Sequence, residues 1–479
     1  MTAFLIALAV LSGGYFIYGA FVDRLMSTDR NRPMPAFTRR DDVDFRPMKP
    51  WRVFLIQFLN IAGLGPIFGA IMGIMFGPSA FLWISLGTIF AGAVHDFCSG
   101  VISIRRDGAS LPEIVGEQLG HGVRQLMRGF SVLLLILVAA VFVITPAGLL
   151  ASMTPAYLDV TVWTVAIFVY YVLATLLPID KLIGNFYPLF GFALLFMAVG
   201  LLCVMLFAGV DIPVSFNDGF AGHSPSGAPV FPMMFVSIAC GAISGFHATQ
   251  SPMMARCLTN EKLARPIFYG AMVAEGIVAL IWAAAAVAFT GGYEQLAAYM
   301  AHPGNSAGTL VHDISFGWLG AFGGILAVLG VVAAPITTGD TALRSARLTV
   351  ADCLKFDQKS LWKRLVVALP IFALTALVMM IDFGVLWRYF AWCNQTLAVF
   401  TLWAVTVYLA RRGSFYPVSL LPAVFMTVVC TSYLLCAPRP EGFGLPQPVA
   451  IGFGVIVAAS LTAMFFIYVK RKQPVLKNV

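Results

Sequence analysis

Thirteen apolar stretches succeed one another along the chain, near residues 2–22, 53–76, 79–103, 129–152, 158–178, 185–210, 231–256, 266–290, 316–340, 365–382, 387–410, 414–436 and 447–469. Each approaches the roughly 20 residues that an α-helix needs to cross the hydrocarbon core of a bilayer. Hydrophobic residues make up 60% of the chain and charged residues 11%, with mean hydropathy +0.89. A soluble chain is roughly half apolar and a quarter charged. The chain therefore reads as an all-α integral membrane protein. Its first stretch lacks a basic leading region and a small-residue cleavage site, so it reads as a retained helix.

Charge orders these spans. With residues 23–52 in the cytoplasm, 28 of the 30 Lys and Arg fall on that side, and only Arg388 and Arg439 fall outside. The positive-inside rule then predicts an outer N-terminus and a cytoplasmic C-terminus. The net charge of +8 is thereby a topology signal and predicts no nucleic-acid partner. Residues 211–230 and 291–315, rich in Gly, Ser, Pro and Ala, read as outer connectors; residues 23–52 read as a solvated loop, with packing under the bundle as the alternative. The eight cysteines show no paired metal spacing, and neither a disulfide framework nor a cofactor is expected. No P-loop or catalytic motif is present, which argues against an enzyme or a primary pump.

Two spans carry breaks, Asn60–Pro66 in the second and Gly241–Pro252 in the seventh. Irregular backbone at membrane depth survives only where protein or a water-lined cavity covers it. The breaks lie five spans apart in opposite orientations. That spacing matches the inverted five-plus-five arrangement of leucine-transporter-like folds, with a shared central site. Residues 53–210 and 231–410 are then the two repeats, with 1–52 and 411–479 as additions. Gly63 and Gly65 are expected to permit unusual backbone angles, and Pro66 to restart the helix. Ser251-Pro252 predicts a second restart capped by the serine. Two restarted helices would aim free amides at the site, which suits a carboxylate.

Ionisable residues inside spans are costly and are functional candidates by default. His247 lies in the seventh-span break and Glu275 about 14 Å of helix into the eighth span; both are candidates for proton coupling. His95 and Asp96, adjacent and about 100° apart on the third span, are expected to serve different partners, with Asp96 facing Arg105 or Arg106 either as a gate or as a structural ion pair. Whether His95 and His247 bind a metal stays open, although no ligand spacing supports it. Thr337 and Thr338 offer a possible cation site, with a helix end and a solvated Asp340 as the alternative. Trp392, Asn394 and Gln395 either line a pathway or hydrogen-bond between helices.

The stretches Gln57–Ile67, Ala93–Phe97 and Ala239–Pro252 resemble the bacterial carbon starvation A (CstA) family over most of the chain. The resemblance implies a secondary transporter of the amino acid-polyamine-organocation superfamily in the bacterial inner membrane, importing peptides or pyruvate with protons. It also carries a substrate-pathway role onto Asn60, Gly63, Gly65, Ser244, Gly245, His247, Thr249, Gln250 and Ser251. A sodium-coupled carrier, a nutrient sensor that binds without transport and a channel are the alternatives.

Overall fold

The structure is a computed structural model that describes the chain apart from residues 42–44, 177–178, 220–223, 225–226, 357–359 and 477–479, with side chains also undescribed at 176–188, 352 and 472–476. Asp42, Asp44 and Lys181, part of the inner-loop reading, therefore lie outside the described side chains. The described residues are helical and form no strand.

All thirteen expected spans are helical, in three forms. Ten are long and apolar enough to cross a membrane unbroken. The second is a bent pair, Pro50–Ile61 and Gly65–Ile74, at 53° to each other. The fifth is shorter, Val160–Leu176, and the seventh is split into Val230–Ser237, Ala239–Ala242 and His247–Ala255. In the third span 83% of the apolar window is buried, against 22% in the first and the thirteenth, so the third is central and the ends of the chain face outward.

The spans pack as two groups. The second, third, seventh and eighth contact one another around the breaks, while the fourth, fifth, ninth and tenth form a second cluster. Members of each group come in pairs five spans apart.

Three connector expectations change. Residues 291–315 are largely helical, with Tyr293–Ala301 followed by a helix from Ala307 that bends sharply at Gly320. At Gly320 the backbone has φ 67, a value that glycine adopts without the Cβ clash other residues incur. The ninth span then runs on to Leu354, so Asp340 is interior to a helix and fully buried, 3.7 Å from Arg344, and not a solvated helix end. Residues 23–52 pack against the bundle as well: Asp29 N and Arg32 Nε both donate to Glu261, and Met48 N donates to Cys257 O. A fully buried Glu261, also held by Arg105 Nε at 2.7 Å, supplies the anchor that a solvated loop would lack.

Candidate functional site

The two broken spans cross in direct contact. Gly65, Gly69 and Gly73 lie along one face of the resumed second span, and a Cβ on any of them would overlap Cys240, Ser237 O or Ile238. Neither Gly63 nor Gly65 has positive φ, so their expected role as backbone-angle residues is corrected. Gly65 is there for close approach, as small residues are at helix crossings in membranes. Pro66 does open the resumed segment, in a wide π-type turn over Gly65–Gly69.

In the seventh span the chain is extended at Ile243 and restarts at His247, five residues before the expected Pro252. Pro252 is inside that helix, and Ser251 Oγ donates to His247 O at 3.1 Å, so Ser251 is not the cap. Tertiary contact overrides the local signal. Asn394 Oδ1 accepts from Phe246 N at 2.7 Å and from Ser244 Oγ at 3.0 Å, while Asn394 O accepts from Gly245 N at 3.0 Å. Gly245 lies so near the eleventh span that a Cβ would be 2.3 Å from Asn394 O.

Carbonyls freed by the break also find side chains. Thr88 Oγ1 donates to Gly241 O at 3.0 Å, and Gln395 Nε2 donates to Phe235 O. With Trp392 Nε1 donating to Cys430 O at 3.0 Å, the polar cluster on the eleventh span is interhelical bonding. Such pairing is what unsatisfied backbone in hydrocarbon demands. The expected crown of free amides is correspondingly absent from the described contacts. Ile67 N and Phe68 N turn to Leu64 O, and Ala248 N and Thr249 N close onto Gly245 O and Phe246 O.

Beside the second break lies a chain of titratable groups. Asp96 Oδ1 is 2.7 Å from His95 Nδ1, Asp96 Oδ2 is 2.8 Å from His247 Nδ1, and His247 Nε2 is 3.4 Å from Glu275 Oε2. All four side chains are fully buried. The expectation that His95 and Asp96 serve different partners is half corrected: the two carboxylate oxygens let Asp96 meet its neighbour and reach across to the seventh span. Its expected gate arginines are engaged elsewhere, Arg105 with Glu261 and Arg106 with Glu117.

The geometry constrains protons. An ionised Asp96 only accepts, so both Nδ1 atoms carry hydrogen, and a neutral His247 then turns a lone pair toward Glu275. A lone pair facing a carboxylate repels it, so one proton on either His247 Nε2 or Glu275 makes the contact favourable. The 3.4 Å approach is not aligned as a hydrogen bond, and both Glu275 oxygens lack a hydrogen-bond partner among the described residues.

Around the first break, Gln57 and Asn60 are buried with side-chain oxygens that have no partner among the described residues, and Gln250 Oε1 on the packed seventh-span helix is likewise unpartnered. Their helices pack together, Pro50–Ile61 against His247–Ala255 and the eighth span. Thr249 Oγ1 donates to Phe246 O at 2.7 Å and accepts from Gln250 Nε2 at 3.0 Å. Thr337 and Thr338 each donate to Ala334 O at 2.8 Å, and Thr338 Oγ1 also lies 3.3 Å from Leu59 O at the end of the first half-helix. Sequence reasoning missed Gln57, Glu261 and the clamping role of Asn394. Polarity within apolar surroundings marked Gln57 and Asn394, whereas Glu261 sits in a short polar loop that carries no such signal.

Residues 1–161 and 147–317, more than half of the chain, match the family described as carbon starvation protein CstA. An uncharacterized membrane protein of Haemophilus influenzae is 42% identical over 339 residues, covering 60% of this chain and 91% of that protein. A Campylobacter jejuni protein named peptide transporter CstA is 30% identical, covering 57% of this chain and 48% of the relative. The pyruvate/proton symporter BtsT of Escherichia coli is 28% identical, covering 56% and 46%. The chain thus spans about half the length of these two named relatives. Among solved structures, the inward-facing conformation of Mhp1 is similar at TM-score 0.52 and 16% identity, over 88% of this chain and 91% of that one. A manganese transporter from Eremococcus coleocola gives 0.50 at 12% identity, over 90% and 99%. These likenesses are of fold and agree with the leucine-transporter-like architecture expected from the paired breaks. The family match and the helices it covers lead to one assignment: this chain belongs to the carbon starvation protein CstA family.

Proposed function

We propose that this chain is a secondary transporter that imports peptides or pyruvate by alternating access, coupled to protons, with its N-terminus outside and its C-terminus in the cytoplasm. The carrying observation is the buried His95–Asp96–His247–Glu275 chain, which joins the third, seventh and eighth spans at the break in the seventh. A proton arriving on Glu275 or His247 removes the lone-pair repulsion between them and draws the half-helix beginning at His247 toward the eighth span. Losing it relaxes that attachment.

Residues 53–210 and 231–410 act as inverted repeats, a reading supported by the five-span pairing within both packed groups. The group carrying the breaks rocks against the cluster of fourth, fifth, ninth and tenth spans. Substrate contacts fall to Asn60, Gln250 and Gln57, whose side-chain oxygens are buried and unpartnered among the described residues. Gly63, Gly65, Gly245, Ser244, Thr249 and Ser251 shape the breaks through packing and internal bonds. The names of the Campylobacter and Escherichia relatives supply the peptide and pyruvate alternatives.

A second reading, sodium coupling, is favoured by one observation. Thr338 Oγ1 lies 3.3 Å from Leu59 O, which brings a hydroxyl and a carbonyl together beside the first break. Oxygen-only ligands suit a hard cation.

The test is uptake of labelled pyruvate and labelled dipeptides into proteoliposomes, with proton and sodium gradients imposed separately. Accumulation driven by protons, lost in Glu275→Gln while substrate exchange persists, is the expected result. Unchanged proton-driven accumulation in Glu275→Gln removes the coupling role. Accumulation by sodium alone establishes the second reading; binding without flux indicates a sensor, and equilibration without accumulation a channel.

A further inference from the structure

A cavity of about 460 Å³ lies between the eleventh, twelfth and thirteenth spans. Its wall is apolar, with Phe400, Trp403 and Val407 facing Leu461 and Phe465. Two of the polar groups in this wall are used internally: Trp403 Nε1 donates to Thr427 Oγ1 at 3.1 Å, and Thr427 Oγ1 donates to Ala423 O at 2.6 Å. The lining runs along the eleventh span from Trp392 to Val407, about 22 Å of helix at ~1.5 Å per residue. One leaflet of hydrocarbon is about 15 Å deep, half of a ~30 Å core. The groove is therefore predominantly apolar and long enough for a whole acyl chain.

One end is basic. Gln118 Oε1 and Tyr468 OH, both in the lining, accept from Arg411 at 3.1 and 2.7 Å, which places the guanidinium at the rim. Arg471 follows Tyr468 by three residues, on the same helical face. Arg412 and Lys470 stand beside them in the chain. Among the described residues no carboxylate pairs with Arg411; Glu117, whose backbone carbonyl it touches, has its carboxylate on Arg106. The only acidic residue in 411–479 is Glu441, bonded to Arg388 at the opposite end of the eleventh span.

We infer that this groove is a phospholipid site, with one acyl chain filling the apolar channel and an anionic headgroup held at Arg411 and Arg471. Basic pockets between membrane helices recognise such headgroups.

The full-length protein, purified in mild detergent and given phosphatidylglycerol and phosphatidylcholine with identical chains, tests this by native mass spectrometry. Phosphatidylglycerol is expected to be retained over phosphatidylcholine by about fivefold per engaged arginine. Arg471→Glu, at an exposed position, removes most of that preference, while Leu461→Trp, which fills the groove, lowers both adducts. Size-exclusion profiles check that both variants remain folded, and inorganic phosphate does not displace the lipid. Equal retention of the two lipids, an unchanged preference in Arg471→Glu, unchanged adducts in Leu461→Trp, displacement by phosphate, or a lipid-free dimer in place of the adduct would overturn the assignment.

Discussion

Replacing Gly65 with alanine probes the crossing of the two broken spans. The added Cβ would lie 2.2 Å from Cys240 Cβ and 2.3 Å from its sulfur. Carbon atoms pack best at about 3.5–4.0 Å, so the spans must separate by about 1.5 Å or rotate. Cys240 cannot simply swing aside, because Asn394 Nδ2 donates to its sulfur at 3.3 Å. Overpacking of this kind costs about 1–3 kcal/mol, and the better helix propensity of alanine offsets about 1 kcal/mol. The expected net loss is about 0–2 kcal/mol against wild type, and about 1–3 kcal/mol against an alanine that meets no obstruction. The double variant Gly65→Ala/Cys240→Gly removes the obstruction, since the methyl then faces Cys240 Cα at an ordinary 3.6 Å. A coupling energy of at least about 1 kcal/mol should appear in the cycle. Thermal unfolding in detergent micelles measures it, with Gly129→Ala as the control because a Cβ there meets nothing within 4 Å. If Gly65→Ala unfolds at the same temperature as that control, or the two changes simply add, close approach is not why glycine is there.

Further outcomes follow from other contacts. Arg105→Ala leaves the buried Glu261 Oε1 without its partner, while Oε2 keeps Asp29 N and Arg32, and should lower stability by about 1–3 kcal/mol; Arg32→Ala, on a side chain 35% exposed, should cost much less in the same unfolding assay. Asn394→Ala leaves Phe246 N and Ser244 Oγ without their acceptor, at a cost of about 1–3 kcal/mol for each unsatisfied group. Ser244→Ala should show only the smaller part of that loss. Asp96→Asn keeps the side chain's size but cannot accept equally from both imidazoles, so proton-driven uptake should fall while the folded fraction stays near wild type. Breaking the exposed Arg106–Glu117 pair with Arg106→Gln should change the unfolding free energy by less than about 1 kcal/mol.

The membrane fold was legible because span length and the placement of basic residues are one-dimensional signals. So were the breaks, since Gly65-Pro66 and Ile243–Phe246 interrupt otherwise apolar helices. Their detailed positions were not. Ser251-Pro252 has the chemistry of a helix start, yet the decisive partner of that restart is Asn394, 143 positions further on. His95, Asp96, His247 and Glu275 stood out as costly residues, but helical spacing alone could not show that one carboxylate serves both imidazoles. Glu261 was hidden for the opposite reason. In a short polar loop among basic residues it looked solvated, and only the return of Arg32 and Arg105 makes it a buried anchor.

The seam between Gly65 and Cys240 carries a thiol, almost wholly sequestered at 4% exposure. A water-soluble maleimide can alkylate it only after the broken spans part, so its labelling rate counts opening events of the native crossing. Serine at the exposed Cys203 and Cys353, the half-exposed Cys436 and the four other buried cysteines would quiet the background. Substrate and ion gradients could then be ranked by how often each exposes this one sulfur, without attaching any foreign reporter to the helices that move.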